Sequence, residues 1–100
     1  MYVMYGHADL LLPYCSSLKE KRKIVNSIVS RIRSRFNVSV SEAYYHDLWQ
    51  RSILGFSAIS HSNSDLEFII NAIKDTLYSS NTDSEVVNFD YEIIVKKFID

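Results

Sequence analysis

Apolar positions along this 100-residue chain follow two periods, and the switches between them outline six elements. From Tyr2 to Leu12 they alternate. One parity holds Tyr2, Met4, Gly6, Ala8, Leu10 and Leu12, and the other holds Val3, Tyr5, His7, Asp9 and Leu11. The second set carries the polar residues, so the first is the expected core face of a strand. Pro13–Ser17 reads as a loop, and Ser17-Leu18-Lys19-Glu20 as a capping box that opens a helix. Leu18, Val25, Ile28, Val29, Ile32 and Phe36 then form one helical stripe, with Asn37 as the stop. Residues 38–45 are strand-like, with Val38 and Val40 on one side; residues 46–51 are a polar hairpin loop. A third strand runs from Ile53 to Ile59 with Leu54, Phe56 and Ala58 inward, and Gly55 inside it suggests a bulge or a close approach. After a loop over residues 60–64, a second capping box, Ser64-Asp65-Leu66-Glu67, starts a helix to about Tyr78 that buries Leu66, Ile69, Ile70, Ile73 and Leu77. Residues 79–84 form a polar connection. Val87, Phe89, Tyr91, Ile93 and Val95 alternate with Asn88, Asp90 and Glu92 as a fourth strand.

The order β-α-β-β-α-β with two amphipathic helices has one preferred packing. Both helices cover one face of a four-stranded antiparallel sheet, an α+β sandwich of the ferredoxin-like kind. Right-handed crossovers put the first and third strands at the centre. The chain is expected to be a single domain over residues 1–100, with one sheet face left open.

Composition is that of a globular protein, with 47% hydrophobic and 23% charged residues. The single cysteine, Cys15, can form no internal disulfide and no multi-cysteine metal site, which points to a reducing, cytoplasmic setting. No stretch reads as a membrane span or a basic leader. Net charge is −1, so nothing global drives the chain to nucleic acid, but residues 1–51 hold eight Lys and Arg against four Asp and Glu. Residues 52–100 hold three against eight. A basic face and an acidic face are expected.

Two stretches carry candidate chemistry. Lys19, Lys21, Arg22 and Lys23 open the first helix, where cations oppose the helix dipole, and they mark an anion or RNA surface. The plainer alternative is a solvated helix face. Asp47-Leu48-Trp49-Gln50-Arg51 puts the one Trp in a polar loop; Trp49 and Arg51 are residue types that anchor interfaces and stack on bases. The alternative there is Trp49 folded onto the core with Arg51 paired to Asp47. Tyr5 and His46 are further interaction candidates. His7, His46 and His61 have no metal-ligand spacing, so neither metal nor cofactor is expected. Aromatic bases cannot stack on the third strand, whose outward set is Ile53, Gly55, Ser57 and Ile59, so the sheet-face mode of RNA-recognition domains is disfavoured. Val3, Ile53, Ile59 and Ile94 instead make the open face partly apolar and suited to a homodimer. A phosphate hydrolase using the first helix N-terminus is an alternative, although residues 12–17 lack Arg and Gly.

Two of these stretches, Ser17-Leu18-Lys19-Glu20-Lys21-Arg22 with Arg35-Phe36-Asn37-Val38-Ser39-Val40, and Asp47-Leu48-Trp49-Gln50-Arg51 with Leu54-Gly55, resemble the YlxP-like bacterial proteins, a small family of unknown function. The resemblance spans about residues 2–95. It implies the ferredoxin-like fold and, through gene neighbourhood, a link to translation and ribosome maturation; it supplies no catalytic residues. Tyr44-Tyr45-His46 and the tail Lys96-Lys97-Phe98-Ile99-Asp100 depart from the family pattern. The functional expectation is a non-catalytic binding protein that meets RNA or ribosomal components, with no membrane partner.

Overall fold

The computed structural model describes residues 1–79 and 83–99. Four strands, β1 (Tyr2–Leu11), β2 (Ser39–Tyr44), β3 (Arg51–Ser60) and β4 (Glu85–Val95), alternate with two helices, α1 (Leu18–Arg35) and α2 (Asn63–Ser79), in the order β1-α1-β2-β3-α2-β4. The sheet runs β2-β3-β1-β4 and every neighbouring pair is antiparallel. This is the ferredoxin-like α+β arrangement, with β1 and β3 central.

The core lies between the helices and one sheet face. Met4, Ala8, Leu10 and Leu12 of the first parity are fully buried, and Leu54, Phe56 and Ala58 continue that layer on β3. Val25, Ile28, Val29 and Ile32 of α1 and Leu66, Ile70, Ile73 and Leu77 of α2 close it from the other side. Each of the larger side chains, Val, Leu, Ile, Met and Phe, contributes about 1.5–3 kcal/mol by leaving water.

Local details differ from the sequence pattern for identifiable reasons. Ser17 caps α1 as expected, accepting from the Glu20 N–H at 3.1 Å. The Glu20 carboxylate, however, turns to the Ser16 N–H and hydroxyl rather than to the Ser17 amide. Helix α2 begins at Asn63, inside the expected loop, so Ser64 lies in its first turn rather than at a cap. Arg51 belongs to β3 and not to the hairpin loop. In β4 a register shift opposite Asp9 and Leu10 makes Val87 the extra residue of a bulge. Val86 therefore packs on the core and Val87 is exposed, the reverse of the strict alternation. Val95, on the expected core parity, is also exposed. Half of the expected polar connection over residues 79–84, residues 80–82, lies outside the described residues, as does Asp100.

Of the two glycines, Gly6 is the one held by close approach. A Cβ there would lie 2.5 Å from the Asp90 carbonyl oxygen and 2.9 Å from Phe56 Cε1. Gly55 is less constrained. It sits beside the β2 bulge at Ala43, whose Cβ an added methyl would meet at 3.2 Å.

Candidate functional site

The two stretches singled out by their chemistry meet at one end of the sheet. The hairpin loop of residues 45–50 lies against the loop that precedes α1. The Leu12 N–H donates to the Gln50 carbonyl at 2.9 Å, and the Gln50 side-chain amide donates to the carbonyls of Pro13 and Cys15. Beneath this seam, Lys21 is completely buried. Its ammonium donates to the Tyr45 carbonyl at 2.5 Å and pairs with Glu42 at 2.9 Å. The same carboxylate oxygen accepts from the fully buried Ser52 hydroxyl at 2.6 Å. Lys21, Glu42 and Ser52 thus tie α1, β2 and β3 together through charge-assisted bonds in a water-poor setting.

Lys21 therefore leaves the list of surface cations. It takes the vacant place in the α1 stripe between Leu18 and Val25, so its side chain points inward and must find a partner there. The signal is readable in the sequence: a lysine at stripe spacing, and Glu42 on the inward parity of Val40.

The loop is further shaped by Tyr45, a non-glycine residue at φ 65°. That left-handed conformation costs about 1 kcal/mol or more. It is offset where the Tyr45 carbonyl accepts from Lys21 and from the Leu48 N–H, and where the ring stacks under the Arg51 guanidinium at 4.6 Å. Arg51 pairs with Asp9 at 2.7 Å, across the β1–β3 ladder, and not with Asp47. The Asp9 bond raises the Arg51 pKa above its ordinary value, against the opposing effect of burial. Arg51 keeps part of its side chain in solvent, and its Nε and Asp9 Oδ1 are buried without a partner.

The surface above this frame is apolar and cationic. Trp49 is 51% exposed and Leu48 46% exposed, and residues 47–51 line a shallow hollow of about 450 Å³. The anchoring of the loop uses backbone and Gln50, so Trp49 is not spent on the core. Lys19, Arg22 and Lys23 are exposed on the first two turns of α1, and among the described residues no ion pair takes them up. Arg22 also borders a cleft of about 200 Å³ between α1 and β2, with Asn26, Arg33 and Ser41.

The other candidates are elsewhere. Tyr5 is on the open sheet face, donating to Glu92 at 2.7 Å; that bond and the negative charge raise its pKa. His46 is exposed in the loop with Nε2 3.1 Å from the Glu42 carbonyl oxygen. At the helix N-terminus, the Ser16 amide is taken by Glu20 and the Glu20 amide by Ser17, so two of the amides nearest a bound phosphate are already bonded. Burial raises the pKa of Cys15, with Glu20 and Asp83 adding to it, so the thiol is held protonated. Among the described residues no cluster of His, Cys, Asp and Glu is arranged to hold a metal ion, and no helix is long and apolar enough to cross a membrane.

The model of the family described as "Protein of unknown function (DUF503)" matches residues 3–91, which include both anchored stretches. The chain belongs to the DUF503 family. The uncharacterized protein YlxP of Bacillus subtilis (strain 168) is 38% identical over 63 residues, 63% of this chain and 68% of its own length. Among solved structures, a de novo designed protein, Foldit4, superposes with a TM-score of 0.57 at 11% identity, over 97% of this chain and 100% of that one. That likeness concerns the fold alone. DUF503 membership agrees with the YlxP-like resemblance of the two motifs, and the function of the family is unknown.

Proposed function

We propose that this DUF503 protein is a non-catalytic RNA-binding protein of the cytoplasm. In this reading Trp49 stacks on an unpaired base while Lys19, Arg22 and Lys23 contact phosphates. One observation carries it: a half-exposed Trp on a loop clamped to the first turns of α1, where cations without an ion pair among the described residues stand exposed. Stacking platforms beside cationic tracks are how single strands are held without base-edge readout. The surface lies at the end of the sheet rather than on its open face, consistent with the lack of aromatics on outward β3. The link to translation implied by the family resemblance makes ribosomal RNA the first ligand to try.

Trp49 is the only tryptophan, so its fluorescence reports the site directly. Adding unlabelled single-stranded ribosomal RNA segments at low salt should quench and saturate that fluorescence. Unchanged emission at every RNA concentration, with no shift in the anisotropy of a labelled RNA, would remove the proposal.

A further inference from the structure

The open sheet face carries an apolar row that nothing among the described residues covers. Val3 is paired in register with Ile59 on β3 and with Ile94 on β4, so the three side chains stand side by side across the sheet. Ile59 is 66% and Ile94 51% exposed, and Tyr5, two residues along β1, is 48% exposed. Beside this row a cleft of about 400 Å³ is bordered by Val3, Val38 and Ile59. The next positions along β4 are acidic: Glu92 is opposite Tyr5, and Asp90 is opposite His7.

The segment that follows β4 has the complementary chemistry. Lys96 and Lys97 are exposed and take part in no ion pair among the described residues, and Phe98 and Ile99 are 67% and 101% exposed. Reciprocal backbone bonds between Met1 and Lys96, at 3.0 and 2.7 Å, hold the first residue of the segment in line with β4. With Phe98 and Ile99 this exposed, the segment does not pack back over its own face. We infer that the chain forms a two-fold dimer in which each copy lays Lys96–Ile99 across the open face of the other. Phe98 enters the cleft beside Val3 and Ile59, and the lysines meet Glu92 and Asp90. A two-fold pairing makes both exchanges at once. The apolar row alone is too small for a stable interface, which needs roughly 800 Å² from each partner, so the segment supplies the difference.

Sedimentation equilibrium of the full chain, from micromolar to near-millimolar concentration, tests this. The expected result is a mass twice that of the chain, with dissociation promoted by salt. Phe98→Asp lies outside every strand and should leave the circular dichroism unchanged while raising the dissociation constant about tenfold or more, as should Ile59→Asp on the receiving side. Lys97→Glu should weaken the dimer and Lys97→Glu with Asp90→Lys should restore it. A single-chain mass at all concentrations, or a dimer indifferent to Phe98→Asp, overturns the inference.

Discussion

Replacing Glu42 with Gln tests whether Lys21 belongs to the interior. The change keeps the side chain's size and leaves an oxygen for the Ser52 hydroxyl, but it strips the charge that faces a lysine with no exposed surface. The ammonium then has only neutral oxygens, and breaking a buried pair in this one-sided way costs about 3–5 kcal/mol. Lys21→Met should cost less, about 1–3 kcal/mol, because the Glu42 side chain is 16% exposed and can draw water while keeping its Ser52 bond. The double variant, with neither charge, should be more stable than Glu42→Gln alone, so the coupling exceeds the Lys21→Met cost, at about 1–3 kcal/mol or more. Urea unfolding of all four proteins yields the cycle. Melting offers a second reading, since each 1 kcal/mol shifts the midpoint by about 4–8 °C in a domain of this size. Additive effects, or a Glu42→Gln variant within about 0.5 kcal/mol of the parent, would refute the reasoning and return Lys21 to the surface.

Gly6→Ala should destabilise by about 1–3 kcal/mol or more in the same assay, because the added methyl meets the Asp90 backbone at 2.5 Å; Gly55→Ala should cost less, having only Ala43 to displace. Trp49→Ala should leave stability within about 1 kcal/mol, since the loop is anchored by Gln50 and backbone, yet abolish the RNA-dependent signal of a labelled RNA. The Cys15 thiol, raised chiefly by burial, binds its proton more tightly folded than unfolded. Its contribution is therefore complete below the ordinary value of 9.0 and is lost as pH rises through the folded value, so melting temperature should fall above pH 9.0 and fall less in Cys15→Ala. The raised pKa values of Tyr5 and Tyr91 act in the same direction at still higher pH, and Tyr5→Phe should flatten that limb.

The fold was legible because both periods are clean where burial is one-sided. Most of the even parity of β1 and β3 and of the α1 stripe is buried, while Tyr2, Gly6, Leu18 and Phe36 are only partly so. Legibility failed where one residue breaks a period. The Val87 bulge inverts the face of everything before it in β4, and no local feature of Glu85-Val86-Val87-Asn88 announces that. Gly6 reads as an ordinary strand glycine until Phe56 and Asp90 are placed around it. For the site, both motifs were visible and their meeting was not, since the Gln50 bonds to Pro13 and Cys15 join residues 35 or more apart. Lys21 is hard to place from sequence because its charge points to the surface and its spacing to the core. Within the run of residues 19–23, only position 21 faces the core.

The distinction between Lys21 and its neighbours sets the decisive experiment, a salt series of binding to labelled single-stranded ribosomal RNA. The parent is compared with a variant carrying Lys19→Glu, Arg22→Glu and Lys23→Glu, with Lys21 left intact so that the fold survives. The account predicts that log affinity falls with log salt at a slope of about −2, from three phosphate contacts at about 0.7 each, and that the variant loses both affinity and slope. Equal binding by parent and variant, or parent binding that ignores salt, would contradict it.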